Sequence, residues 1–178
     1  MLTAFAIAAL TGGDALADAA PPAKPVSADF YSGRWYEIAR TPNAGQRDCQ
    51  APTTDFARPP ARRDVELVSD TGAFTVVQTC RRGDPSGPPR VVSTKGEIIA
   101  GSRNTRFRMS FLGGLRKQEY WVLDAAADHS WAITATPGGN YVWLLSRKPV
   151  MSPAARAAAL ARVRALGYEK LEFPEPAL

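Results

Sequence analysis

Between residues 33 and 147 the apolar and polar positions alternate with a period of two, in short runs. Arg106-Phe107-Arg108-Met109-Ser110-Phe111 alternates without a fault, so Phe107, Met109 and Phe111 must share one buried face. Arg34-Trp35-Tyr36-Glu37-Ile38-Ala39 consists of strand formers, as does 73–79. The same pattern predicts strands over 53–57, 91–100, 120–124, 131–136 and 141–146. Turn chemistry separates them at Asp70-Thr71-Gly72, Gly101-Ser102-Arg103-Asn104, Gly113-Gly114 and Pro137-Gly138-Gly139-Asn140. Short strands at roughly eight- to twelve-residue spacing predict an antiparallel sandwich or barrel. Pro59 and Pro60, inside 58–63, forbid a regular ladder, so a bulged edge or loop is expected beside the second strand.

After residue 147 the period becomes helical. Ser152-Pro153 places an N-cap before a proline at the first helical position, and Gly167 supplies the stop, which predicts a helix over 153–166. Ala159, Leu160, Val163 and Leu166 form its apolar stripe, with Arg162 at the border, and the stripe is expected to pack on the outside of the sheet. Residues 170–173 predict a short final strand and 174–178 a fraying tail. At the other end, 1–17 carries an apolar stretch, then Gly12, Gly13 and Ala15-Leu16-Ala17. That is the outline of a secretory signal peptide, though without a basic residue ahead of the apolar core. No cysteine lies near that cut, so a lipid anchor there is not expected. Residues 18–28, with three prolines, predict a stiff exposed leader, and 29–173 form one domain with no 18-residue apolar run to span a membrane.

Charge narrows the partners. The 178 residues include 22 Lys and Arg against 17 Asp and Glu, a net charge of +5. The arginines are scattered without a dense block or a reading helix, so nucleic acid is not an expected partner, while a mild attraction to anionic membrane surfaces is. One histidine, His129, and two cysteines exclude a His- or Cys-rich zinc cluster, and no cofactor is expected. His129 lies in turn sequence without a nucleophile motif, and Asp124 and Asp128 lack a third ligand, which points to binding rather than catalysis. Two cysteines in an exported chain predict a Cys49 to Cys80 disulfide. Closing a loop 31 positions long adds about 3 to 4 kcal/mol in the chain-entropy treatment.

Ser32-Gly33-Arg34-Trp35-Tyr36-Glu37-Ile38-Ala39-Arg40 resembles the first-strand Gly-x-Trp motif of the lipocalins, in the form of the bacterial and apolipoprotein D-like branch. Tyr141-Val142-Trp143-Leu144-Leu145-Ser146-Arg147-Lys148-Pro149 resembles that branch's last barrel strand with its motif arginine, and the helix follows in order. The middle motif is degenerate, with Asp124 and Asp128 but no tyrosine. The resemblance implies an eight-stranded antiparallel up-and-down β-barrel with one C-terminal α-helix packed outside. It implies further that Gly33, Trp35 and Arg147 close the base, with Arg147 across Trp35, and that the ligand is a fatty acid or lysophospholipid handled in the bacterial envelope, most readily the periplasm.

With Trp35 at the base, strand parity turns Glu37 and Ala39 inward; Phe107, Met109 and Phe111, and then Tyr141, Trp143 and Leu145, complete an aromatic, largely apolar cavity for one small hydrophobic ligand. Glu37 needs a partner there, either a ligand's polar end or an internal arginine. Loops 43–52 and 113–117 frame the opening, where Arg116 and Lys117 either meet an anionic headgroup or remain solvated. Two other readings stay open: an enzyme acting on a lipophilic substrate, and a barrel filled by its own side chains that serves as an interaction module.

Overall fold

A computed structural model describes residues 19–58 and 72–176. The signal-like segment 1–17, the insertion at 59–63, the turn residues Asp70 and Thr71, and residues 177 and 178 lie outside them. Eight strands are described: β1 (Gly33–Arg40), β2 (Cys49–Ala57), β3 (Ala73–Arg82), β4 (Pro89–Ile98), β5 (Arg106–Phe111), β6 (Arg116–Ala125), β7 (Trp131–Ala135) and β8 (Val142–Ser146). Each pairs antiparallel with its neighbour in sequence, and β8 returns to β1, so the sheet closes into an up-and-down barrel. The expected strand over 53–57 begins earlier, at Cys49, because the β2–β3 ladder shifts register between Gln50 and Thr53. That irregularity accommodates Pro52, which has no N–H to give, and leaves Ala51 at φ 46°.

Two apolar clusters lie on opposite faces of the wall. Inside, Phe30, Tyr31, Trp35, Phe56, Phe74 and Phe107 pack edge-to-face and tilted, with centroids 4.9 to 6.2 Å apart. Phe74 lies over its cross-strand partner Gly96, where an added Cβ would stand 2.2 Å from Phe74 Cε2. Outside, α1 (Pro153–Ala165) buries Ala159, Leu160 and Val163 against Ala39, Ile133, Val142 and Leu144. Ser152 caps the helix by accepting from Ala155 N–H, and Arg162 Nε donates to the buried Asp124 at 2.5 Å, tying α1 to β6.

The base is sealed from both ends of the chain. A 3-10 turn, Ala28–Tyr31, drives Phe30 and Tyr31 up into the barrel. Trp35 Nε1 donates to Phe30 O at 2.9 Å, and the Arg147 guanidinium lies 3.7 Å above the Trp35 ring. Arg147 also donates to Ser32 O, Arg34 O and Asp29 O at 2.7 to 3.1 Å. Gly33 takes φ 68° beneath it.

Two terminal expectations are corrected. The leader is not wholly exposed: Ala19 enters the outer cluster, Val26 the inner one, and Val26 N–H donates to Arg103 O at 3.1 Å. The tail does not fray at Pro174. Residues 170–173 contribute one bridge, Arg40 to Glu172, and beyond it Ala51 N–H donates to Glu175 O at 2.8 Å, so the segment fills the gap where β1 and β2 diverge.

Candidate ligand-binding site

Above the aromatic floor the barrel keeps an internal cavity of about 70 Å³ and, nearer the open end, a second of about 100 Å³. Both have Glu37, Gln46, Thr54 and Gln78 in their walls. Of the expected lining residues, Glu37, Phe107, Met109, Trp143 and Leu145 face the lower cavity. Phe111, at the top of β5, packs on the inner cluster but stands outside the cavity wall.

Ala39 and Tyr141 are misplaced by strand parity. The β1–β8 ladder pairs Glu37 with Leu145 but Ala39 with Leu144, so Ile38 is an extra residue and the inside-outside alternation inverts after it. Ala39 therefore packs under α1, and Arg40 turns into the lumen instead. Tyr141 precedes Val142, the first residue of β8, and sits at the rim 39% exposed.

The inverted parity creates a belt of polar bonds across the lumen. Arg40 Nη1 donates to Glu37 Oε1 at 2.6 Å, Gln46 Nε2 donates to Glu37 Oε2 at 2.9 Å, and Trp143 Nε1 donates to Gln46 Oε1 at 2.9 Å. Arg40 also donates to Gln46 O and Cys49 O and pairs with Glu172 of the C-terminal segment. Sequence reasoning missed Gln46, which lies on a loop where no periodicity operates. Phe56, Gln78 and Tyr120 were within its reach: Phe56 and Thr54 share a row, Gln78 follows Phe74 and Val76, and Tyr120 stands opposite Phe107, its ring stacked at 5.3 Å.

Burial pushes the Glu37 carboxyl above the ordinary carboxylate range, with Arg40 and Gln46 pulling the other way. A pKa raised on folding means that the folded chain holds the proton more tightly than the unfolded one. This group's contribution to stability is therefore full below the unfolded value near 4.5 and is lost as pH rises through the folded value. Glu37→Gln removes that slope, so denaturant midpoints of wild type and variant should diverge in the variant's favour as pH rises from near 4.5 through the folded value. Parallel curves would mean that folding does not perturb Glu37.

Cys49 and Cys80 are free thiols in hydrogen-bond contact in the wall of the upper cavity, and burial raises the Cys49 pKa. His129 sits exposed in the β6–β7 turn at φ 58°. Among the described residues no group of three His, Cys, Asp or Glu could hold a metal ion.

Residues 26–176 match the family model of a lipocalin-like domain. The chain is 29% identical over 135 residues to the outer membrane lipoprotein Blc of Vibrio cholerae, covering 72% of this chain and 70% of that protein. It is 24% identical over 143 residues to the outer membrane lipoprotein Blc of Escherichia coli, covering 80% and 74%. Among solved structures, insecticyanin of the tobacco hornworm Manduca sexta superposes with a TM-score of 0.63 at 18% identity, covering 87% of this chain and 83% of that one. Lobster apocrustacyanin A1 superposes at 0.60 with 12% identity, covering 84% and 79%.

Proposed function

Because the chain belongs to the lipocalin-like family, we propose that it is an exported carrier that holds one small lipophilic molecule, a fatty acid or a lysophospholipid, in its lumen. The observation that carries this reading is a lumen sealed below by Trp35 and Arg147, open above, and divided into an apolar floor and one polar belt. A few polar groups over an apolar surface orient a ligand without needing a reactive group. The bacterial relatives are named as outer membrane lipoproteins, which supports export and a place in the envelope.

A series of single-chain lipids of increasing length, titrated into delipidated protein and followed by tryptophan emission, tests the reading. Each methylene buried is worth about 0.8 kcal/mol, roughly fourfold in affinity, until the tail meets the Phe30 and Phe107 floor, where the gain should stop. An affinity indifferent to chain length, or no saturable signal, would defeat the carrier and favour an interaction module. Turnover of the lipid would favour an enzyme.

Export carries a second consequence. The contact between Cys49 and Cys80 then closes to a disulfide in an oxidising compartment. Protein taken from that compartment and alkylated without reduction should show neither cysteine modified; two modified cysteines would reject the bridge.

A further inference from the structure

Three arginines of the open end gather on one side of it. The inner row of β3 runs Phe74, Val76, Gln78, Cys80 and Arg82, and β4 sets Gly96, Thr94, Val92 and Arg90 beside it. Arg82 and Arg90 thus stand on lumen-facing rows above Gln78 and Val92. With Arg47, from the connection between β1 and β2, they surround a recess of about 200 Å³. Arg90 Nη1 donates to Gly45 O at 3.0 Å, which holds its guanidinium across the gap from strand to loop. None of the three arginines is ion-paired to a described carboxylate, and Asp48 is the one acid in the recess wall.

Three guanidiniums crowded into one concavity repel one another. An anion relieves that repulsion and accepts paired N–H bonds from their planar forks, best of all a phosphate. The recess also opens onto the lumen: Gly45, Cys49, Cys80 and Arg90 belong to its wall and to that of the upper cavity. At the belt, Arg40 and Gln46 are already engaged by Glu37 and are not free to hold a second anion there. A ligand lying on the aromatic floor must therefore place a negative group higher, at the rim. From Gln78 to Arg82 is about 13 Å of strand and from Val76 about 20 Å; one leaflet's acyl chain, half of a hydrocarbon core about 30 Å thick, matches that span. Arg116 and Lys117, the cations singled out in the sequence, lie on β6 and take no part in the recess wall.

We infer that Arg47, Arg82 and Arg90 form a phosphate subsite at the barrel rim, which takes the headgroup of a single-chain phospholipid whose tail occupies the lumen. This rests on the carrier reading and adds to it the class of ligand and the place of its head.

The test compares lysophosphatidic acid, a monoacylglycerol with the same chain, and inorganic phosphate, on wild type and on an Arg47→Ser/Arg82→Ser variant, neither residue belonging to the wall of the two lumen cavities. Wild type should bind the phosphate-bearing lipid at least tenfold more tightly than the monoacylglycerol. The variant should lose that preference and keep its affinity for the monoacylglycerol, which also shows that it is folded. Added salt should weaken only the first lipid. Equal binding of both lipids by wild type would overturn the subsite and leave the carrier standing. Binding of neither lipid would overturn the carrier reading and this assignment with it. Inorganic phosphate binding as tightly as the lipid, with monoacylglycerol binding intact, would overturn the assignment to a lipid headgroup and make the recess a site for the free ion.

Discussion

Trp35→Ala is expected to cost about 3 to 5 kcal/mol of stability, the range for truncating a large buried aromatic. Trp35 is 1% exposed and ends the inner aromatic cluster. Its loss removes packing against Phe30, the indole hydrogen bond to Phe30 O, and the plane on which Arg147 lies. Arg147 would keep its three backbone acceptors but lose the stacking, worth about 0.5 to 2 kcal/mol. Arg147→Lys isolates the guanidinium's share, because an ammonium keeps the charge but cannot stack as a plane or reach three carbonyls in a fixed fork. It should lower the melting temperature measurably in thermal denaturation. A melting temperature equal to that of wild type would mean that the stack contributes nothing to closing the base.

Trp143→Arg should abolish ligand binding while the barrel still folds. Trp143 faces the lower cavity, hydrogen-bonds to Gln46 in the belt, and sits 5.8 Å from the Tyr120 ring. It also stands opposite Arg40 in the β1–β8 ladder. Arginine there sets a second guanidinium beside Arg40, removes apolar surface from the site, and requires a lipophilic tail to displace a hydrated charge. Trp143→Leu separates the two effects. It keeps an apolar wall while giving up indole contact, so affinity should fall by roughly 30-fold for about 2 kcal/mol of lost burial, without disappearing. Both variants should retain a β-sheet circular dichroism spectrum. Undiminished binding by Trp143→Arg would place the ligand outside the lumen.

The strands and the helix were legible because they depend on period and punctuation, which are local, whereas closure into an eight-stranded barrel was what the family resemblance implied. The fault-free alternation of Arg106 to Phe111 reappears as β5 with the same bounds. Ser152, Pro153 and Gly167 bracket a helix that runs over Pro153–Ala165, and the stripe of Ala159, Leu160 and Val163 is buried against the wall. The Gly33, Trp35 and Arg147 arrangement followed from a resemblance carried by two short segments at opposite ends of the domain. Extending parity along β1 failed at Ile38, because a bulge is a property of two paired strands and leaves no mark in the alternation of one.

What the sequence determined by itself was therefore the strands, the outer helix, and the inward row of β5 through Phe107 and Met109. Alternation, capping and turn chemistry act over a few residues and are written in their order. Tertiary structure alone decided which arginine enters the lumen and what holds it there. Arg40 meets Glu37, the Gln46 carbonyl and Glu172, the last of them 132 positions away, once β1 gains its extra residue and the C-terminal segment fills the gap beside it. The rim recess likewise unites residues from a loop and two strands, Arg47, Arg82 and Arg90. Such contacts arise from register and from the closure of the sheet, which depend on pairing energies summed over many residues rather than on the pattern of any one segment.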